Sequence, residues 1–314
     1  MAGPKFLECY DERDHTANAF GNMSRENSMN EMLVTVRHGD ATRPTDQDTL
    51  ARLQRGIAQT AEAIEDRRKA FFNNPEDIET IHRFRTNTRA LRSLVAFIKP
   101  WQKTRQNAET QAILKEVVRC TSRLRELDVL EKNVRADPNA SPKLLTFCKD
   151  EASAERKRVL KALASKRVAR SFRRAIASAK AIAWKKRYAK YGLPQDVVQA
   201  RFDALIKAVG AEIAHMDLMD SEQTHDVRKR AKRVRYVAEL ASNTLGPDAV
   251  DVAKNMTAHQ DALGDVCDAR VNIRLTSEFL LRDLPKPVKK GLIRLRKQNE
   301  AILCELLESS ETSR

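Results

Sequence analysis

The sequence predicts an all-α protein built as two related halves, and three observations carry that prediction. The 314 residues include only 9 Gly, 10 Pro and 5% aromatics, a composition that favours helices over sheets. Apolar residues make up 41% of the chain and recur at helical spacing, without the alternation of a strand. An eleven-residue pattern occurs twice, 143 residues apart. Together these exclude an all-β sandwich or barrel, a collagen-like fibre, a disulfide scaffold and wholesale disorder.

The elements follow from punctuation. Residues 1–45 are rich in Asn, Ser, Asp and Thr, hold five basic residues against seven acidic ones, and read as a flexible polar tail. The tail is thus net negative, and the basicity behind the chain's net charge of +15 belongs to the body, residues 46–309. Turn signals at NNPED (73–77), KPW (99–101), ADPNASP (136–142), YGLP (191–194), LGPD (245–248) and LPKP (284–287) place a Pro, Asn or Asp where helices stop or start. Between them the periodicity predicts helices near 48–72, 76–98, 103–134, 142–164, 167–189, 195–218, 222–243, 248–282 and 287–308. Cys9, Cys120, Cys148, Cys267 and Cys304 are scattered and odd in number, the usage of free thiols in a reducing compartment. With no apolar run long enough for a signal peptide or a spanning helix, the expectation is a cytoplasmic protein without membrane insertion.

The repeated pattern is H-x-x-R-x-x-x-[RK]-x-x-R. Its first copy carries His82, Arg85, Arg89 and Arg92, and its second His225, Arg228, Lys232 and Arg235. On a helix the four positions of each copy fall within an arc of about 80°. Ile81, Phe84, Leu91, Leu94, Val95 and Ile98 occupy a neighbouring apolar arc, and Val227, Ala231, Val234, Val237 and Ala238 do so in the same phase in the second copy. Clustered cations repel one another, and burying them unpaired costs several kcal/mol each. Such a face meets water, carboxylates or an anionic ligand. A solvated face explains one basic stripe, but two stripes with the same residue order and phase point to a ligand.

Further cations extend the surface. Lys115, Arg119 and Arg123 lie at i, i+4 and i+8, where Glu116 and Glu126 could instead neutralise them. From Arg156 to Gln195 there are fourteen Lys or Arg, including Arg167 and Arg170, and no Asp or Glu. Asp261, Asp265 and Asp268 could hold a divalent ion through oxygen ligands, but neutralising Arg270 or Arg274 is the favoured role. His259 reads as a packing or hydrogen-bonding residue. The metalloprotease, P-loop and nucleophile-elbow motifs are missing, and glycine is scarce for a phosphate-cradling loop.

The paired motifs, with RLRELDVL at 123–130 after the first and HQDALGDVCDA at 259–269 after the second, resemble the CHAD domain, the conserved-histidine α-helical domain. The resemblance covers nearly all of 46–309, with halves at 46–165 and 166–309. It implies two pseudo-symmetric antiparallel bundles of about four helices each around a basic central channel, and binding of inorganic polyphosphate. Carried over by position, the binding residues are His82, Arg85, Arg89, Arg92, His225, Arg228, Lys232 and Arg235, with Lys115, Arg119, Arg167 and Arg170 added from the neighbouring basic stretches. Thr86-Asn87-Thr88 departs from the family's more basic pattern. The E-x-E-x-K signature of the catalytic domain that accompanies many relatives is missing, so neither catalysis nor a cofactor is implied. Association with polyphosphate granules in the cytoplasm is the corresponding location. A nucleic-acid-binding helical protein and a metal-dependent phosphate-transferring enzyme remain the alternatives.

Overall fold

The structure is a computed structural model and describes residues 45–311. The polar tail, with Cys9, His15 and His38, lies outside the described residues. Twelve helices are found among those described: α1 (Asp46–Asn73), α2 (Ile78–Phe97), α3 (Thr104–Cys120), α4 (Ser122–Ala136), α5 (Pro142–Ala164), α6 (Lys166–Lys180), α7 (Lys186–Tyr191), α8 (Gln195–Ala214), α9 (Ser221–Leu240), α10 (Ser242–Leu245), α11 (Asp248–Leu280) and α12 (Lys286–Glu311). The β-pairing among them is an isolated bridge between Gln102 and Trp184.

The starts follow capping chemistry. The Thr45 hydroxyl accepts from the Asp48 amide while the Asp48 side chain accepts from the Thr45 amide, a closed capping box. Asp77, Ser141, Ser165 and Asp220 cap α2, α5, α6 and α9 through their side-chain oxygens. At the end of α7, Gly192 has φ +84°, and a Cβ there would stand 2.4 Å from the Asp46 carbonyl carbon. The missing side chain lets the Leu193 amide donate to the Asp46 carbonyl at 2.9 Å, tying the α7–α8 connection to the first turn of α1. Gly192→Ala should therefore cost more than about 2 kcal/mol, read as a lower denaturation midpoint with an unchanged slope.

Two predicted helices are interrupted. The expected helix over 103–134 breaks at Thr121, which separates α3 from α4. The Thr121 hydroxyl donates to the carbonyls of Val117 and Val118, and Arg85 donates to the same Val118 carbonyl at 2.9 Å, so side chains take acceptors the helix would otherwise use. The expected helix over 167–189 stops at Lys180. There the Lys103 amide donates to the Ala183 carbonyl, the Lys185 amide to the Trp101 carbonyl and the Ala183 amide to the Gln106 side chain, drawing 181–185 out into an extended segment.

Two apolar clusters hold the helices. The larger takes Ile57, Ile64 and Phe71 from α1, Phe84, Leu91 and Leu94 from α2, Leu114 from α3, Phe172 and Ile176 from α6, Phe202 from α8, and Val227, Val234 and Val237 from α9. The smaller joins Leu127, Leu130 and Val134 of α4 and Leu144 and Cys148 of α5 to Leu275 and Phe279 of α11 and Leu292 and Leu295 of α12. Both clusters draw on residues before and after 165. Every position assigned to the apolar arcs of the two motif helices is buried.

Below the smaller cluster, Arg156 of α5 donates to Asp128 of α4 at 2.6 Å and to Glu76 at 3.1 Å. The Asp128 side chain is fully enclosed, and burial pushes its carboxyl up to about 6 against the pull of Arg156 and Arg125. With Glu131, Lys132, Arg135 and Lys149 these residues line a cleft of about 500 Å³.

Candidate functional site

The motif helices α2 and α9 pack directly against each other. Their apolar arcs enter the larger cluster, which turns the adjoining cationic arcs toward a common region. The charge coupling shows which groups meet. Arg89 on α2 interacts with Arg228 on α9, Arg92 with Arg233, and Arg89 with both His225 and Lys232. The third helix of the site is α11, where Arg228 Nε donates to the Gln260 carbonyl at 3.4 Å. Gly264 leaves room for that position, because a Cβ there would stand 3.2 Å from the Arg228 guanidinium and push it back by a few tenths of an ångström. Asp268, one helical turn further along α11, supplies a carboxylate near Lys232.

Desolvation dominates the electrostatics. Burial, reinforced by Arg228, Arg89 and Arg235 and opposed by Asp268, holds the Lys232 amine well below the usual lysine range. Burial pushes Arg89 down, with Arg228 adding to it and Tyr236 opposing, and it pushes Arg92 down with help from Arg89 and Arg233. His225 is exposed at its outer edge, yet burial of the ring and then Lys229, Arg89 and Arg228 lower its pKa against Asp226. The Nε atoms of Arg92 and Arg235 are buried without a hydrogen-bond partner among the described residues. The arrangement concentrates positive charge, partly stripped of water, with Asp268 near Lys232, Asp226 near His225 and Glu239 on Arg235 as carboxylates beside it.

The predicted residues divide into groups. Arg89, Arg92, Arg228, Lys232 and His225 come together as described. Arg85 is drawn inward: its Nη1 donates to the Val118 carbonyl and to Thr121 Oγ1 at 2.6 Å, and burial pushes its guanidinium down to about 10. Arg235 lies over the Tyr236 ring and pairs with Glu239 at 3.2 Å. His82 is half-buried on α2 and has a partner of its own. Arg119 and Arg167 line a separate cleft of about 310 Å³ with Arg158, and Arg119 is paired with Glu116 at 2.9 Å. Lys115 and Arg170 are exposed.

Arg270 donates to the Leu218 carbonyl, closing the α8–α9 connection, and Arg274 pairs with Glu126 and Glu278. Among the described residues no group of three or more His, Cys, Asp or Glu is arranged to hold a metal ion. His259 is half-buried, and burial lowers its pKa. Residues that the pattern did not single out also shape the site. Arg233 is legible within the second motif's basic run, whereas Gly264 and Asp268 act only through the packing of α11 on α9.

Among the described residues no helix is long and apolar enough to cross a membrane. No curated protein matches the chain. Solved structures share its fold, two of them as follows. The crystal structure of the CHAD domain from the plant Ricinus communis aligns with TM-score 0.70 and 20% identity, covering 89% of this chain and 96% of that one. PptA from Streptomyces chartreusis aligns with TM-score 0.62 and 15% identity, covering 86% and 99%. The sequence model of the CHAD domain matches residues 43–277, which contain both motifs and the α11 segment against which Arg228 lies. The chain belongs to the CHAD domain family.

Proposed function

We propose that the protein binds a polyanion without turning it over, and that the ligand is inorganic polyphosphate held along the cationic surface of α2 and α9. One observation carries this reading: Arg89, Arg92 and Lys232 are desolvated and gathered with Arg228, with Asp268 as a nearby counter-charge. Such a cluster is costly when empty and is relieved by a ligand that brings many negative charges close together. Arginine forks and lysine point charges suit a chain of phosphates that offers no bases to read. The reading takes 46–165 and 166–309 as two related bundles whose motif helices flank one basic channel. His82, Arg85 and Arg235 orient the surface, and Lys115, Arg119, Arg167 and Arg170 extend it. Nucleic acid is the weaker ligand, because Tyr236, the aromatic ring beside the cluster, is buried and offers no open stacking platform.

The test is a gel shift with polyphosphate and competing RNA, repeated across pH. The His225 pKa is lowered in the free protein, first by burial and then by the neighbouring cations. A bound polyanion reverses the local sign and raises that pKa, so binding takes up a proton and affinity increases as pH falls from 8 to 6, by up to about tenfold per unit of pKa recovered. His225→Gln should lessen this dependence while leaving most of the affinity, the remainder being the proton that Lys232 takes up as the polyanion raises its lowered pKa. RNA displacing polyphosphate at equal phosphate concentration would overturn the assignment of the ligand.

A further inference from the structure

Residues 101–103 and 183–185 run side by side around the bridge between Gln102 and Trp184. The Lys103 amide donates to the Ala183 carbonyl at 2.8 Å, and the Lys185 amide donates to the Trp101 carbonyl at 2.9 Å. Trp101 is buried in the larger cluster, and Trp184 and Tyr188 pack against it, so aromatic rings anchor both segments. What they leave outside is largely cationic. Lys99, Lys103, Lys185, Lys186, Arg187 and Lys190 are exposed, and none has an ion pair among the described residues. Gln47 donates to the Lys190 carbonyl at 3.3 Å, which brings the first turn of α1 to the end of α7. Of the carboxylates on that turn, Asp48 folds back onto Thr45 in the capping box, leaving Asp46 beside six cations.

Charge of this kind suits a polyanion, and one ring says which. Tyr191 is 64% exposed, and the Lys190 ammonium stands 4.9 Å from the centre of its ring. An open aromatic ring among cations can stack a base while the phosphates of the strand meet the charges. The α2–α9 surface has no counterpart, since Tyr236 there is buried. A lipid surface would meet the same charges, but it is held by apolar insertion as well. Residues 181–191 expose no aliphatic side chain larger than alanine, because Ile182 is buried. We propose that residues 99–103 and 183–191 form a second binding surface, for single-stranded nucleic acid, with phosphates on the lysines and Arg187 and a base stacked on Tyr191. The surface shares no residue with the one assigned to polyphosphate and does not rest on that reading. Polyphosphate matches the charges but has no base to offer the ring, and a duplex keeps its bases stacked on one another.

The experiment titrates the full chain into a fluorescent oligodeoxythymidylate of about 12 nucleotides and reads anisotropy at several salt concentrations. Tyr191→Ala should weaken binding at least about fivefold, the lower end of what a stacked base contributes, and Tyr191→Phe should restore it because the ring is kept. Polyphosphate affinity should be the same in Tyr191→Ala as in the wild type. Lys185→Glu with Lys186→Glu should weaken oligonucleotide binding more than Lys143→Glu with Lys297→Glu, which changes the net charge equally on exposed positions of α5 and α12. The first pair should also lower the slope of log affinity against log salt by about 1.4, two phosphate contacts at about 0.7 each. A duplex of the same length should bind more weakly at equal phosphate concentration. Undiminished binding by Tyr191→Ala, or a duplex bound as tightly as the single strand, would overturn the inference. Preference for vesicles of phosphatidylcholine with phosphatidylserine over the oligonucleotide would overturn it in favour of a lipid surface. Protein that holds polyphosphate but not the oligonucleotide would overturn this inference alone. Tyr191-dependent oligonucleotide binding by protein that does not hold polyphosphate would support the second surface and overturn the polyphosphate reading.

Discussion

Arg89→Glu combined with Arg228→Glu should lower polyphosphate affinity by at least about 100-fold, because charge-assisted contacts contribute about 1.5–3 kcal/mol each and both change sign. Lys149→Glu with Lys297→Glu changes the net charge equally on exposed positions outside the α2–α9 surface, and should cost only the long-range share that salt screens. Equal losses from the two pairs, measured at one ionic strength, would reduce the surface to generic electrostatics. Arg85 is unsuited to this comparison even though it opens the first motif's cationic series. Its Nη1 holds the Val118 carbonyl at the α3–α4 break, so Arg85→Glu would disturb the joint as well as the charge.

The second large effect concerns stability. Asp128→Ala should cost about 3–5 kcal/mol, because Arg156 would remain buried with only the exposed Glu76 as its partner. Asp128→Leu with Arg156→Met should recover most of that loss, since a pair of matched apolar residues removes both charges at once. Chemical denaturation with an unchanged slope is the measurement; a double variant as unstable as Asp128→Ala would show that shape, not charge, dominates there. The pH dependence has a defined sign. The folded carboxyl titrates near 6 against a reference value of 3.8, so its stabilising contribution is complete below 3.8 and lost as pH rises through about 6. Asp128→Asn should therefore remove a gain in stability that the wild type shows on going from pH 7 toward pH 5.

How much of this was legible differs from element to element. Ile81, Phe84, Leu91 and Leu94 announced the buried arc of α2, and Val227, Val234 and Val237 that of α9, because a helix converts spacing into a face without any tertiary information. The contact between the two cationic arcs was legible only through the repetition of the motif, since nothing local links residues 143 positions apart. The break at Thr121 was not legible. Thr121 looks like an ordinary helical residue until Arg85 arrives from another helix to take the Val118 carbonyl. Arg156 was read as one more member of a basic run, yet it is nearly sealed against Asp128, because the run's periodicity cannot say which of its fourteen cations turns inward. Gly264 was legible only as a member of the HQDALGDVCDA stretch, since its value lies in the guanidinium that rests against it.

The smaller apolar cluster has a consequence for how the chain is made. Leu127, Leu130, Leu144 and Cys148 wait for Leu292 and Leu295, and 143 residues separate Ala152 from Leu295. At about 5–20 residues per second, a ribosome takes roughly 7–30 s to deliver the missing wall. During that interval the α4–α5 hairpin presents its oily side to the cell, covered first by Leu275 and Phe279 of α11 and completely only by α12. A nascent chain halted near residue 277, where the recognisable family pattern ends, would stay in that condition. The last helix thus acts as the latch of the molecule, and a chaperone's claim on the emerging chain ends when it closes.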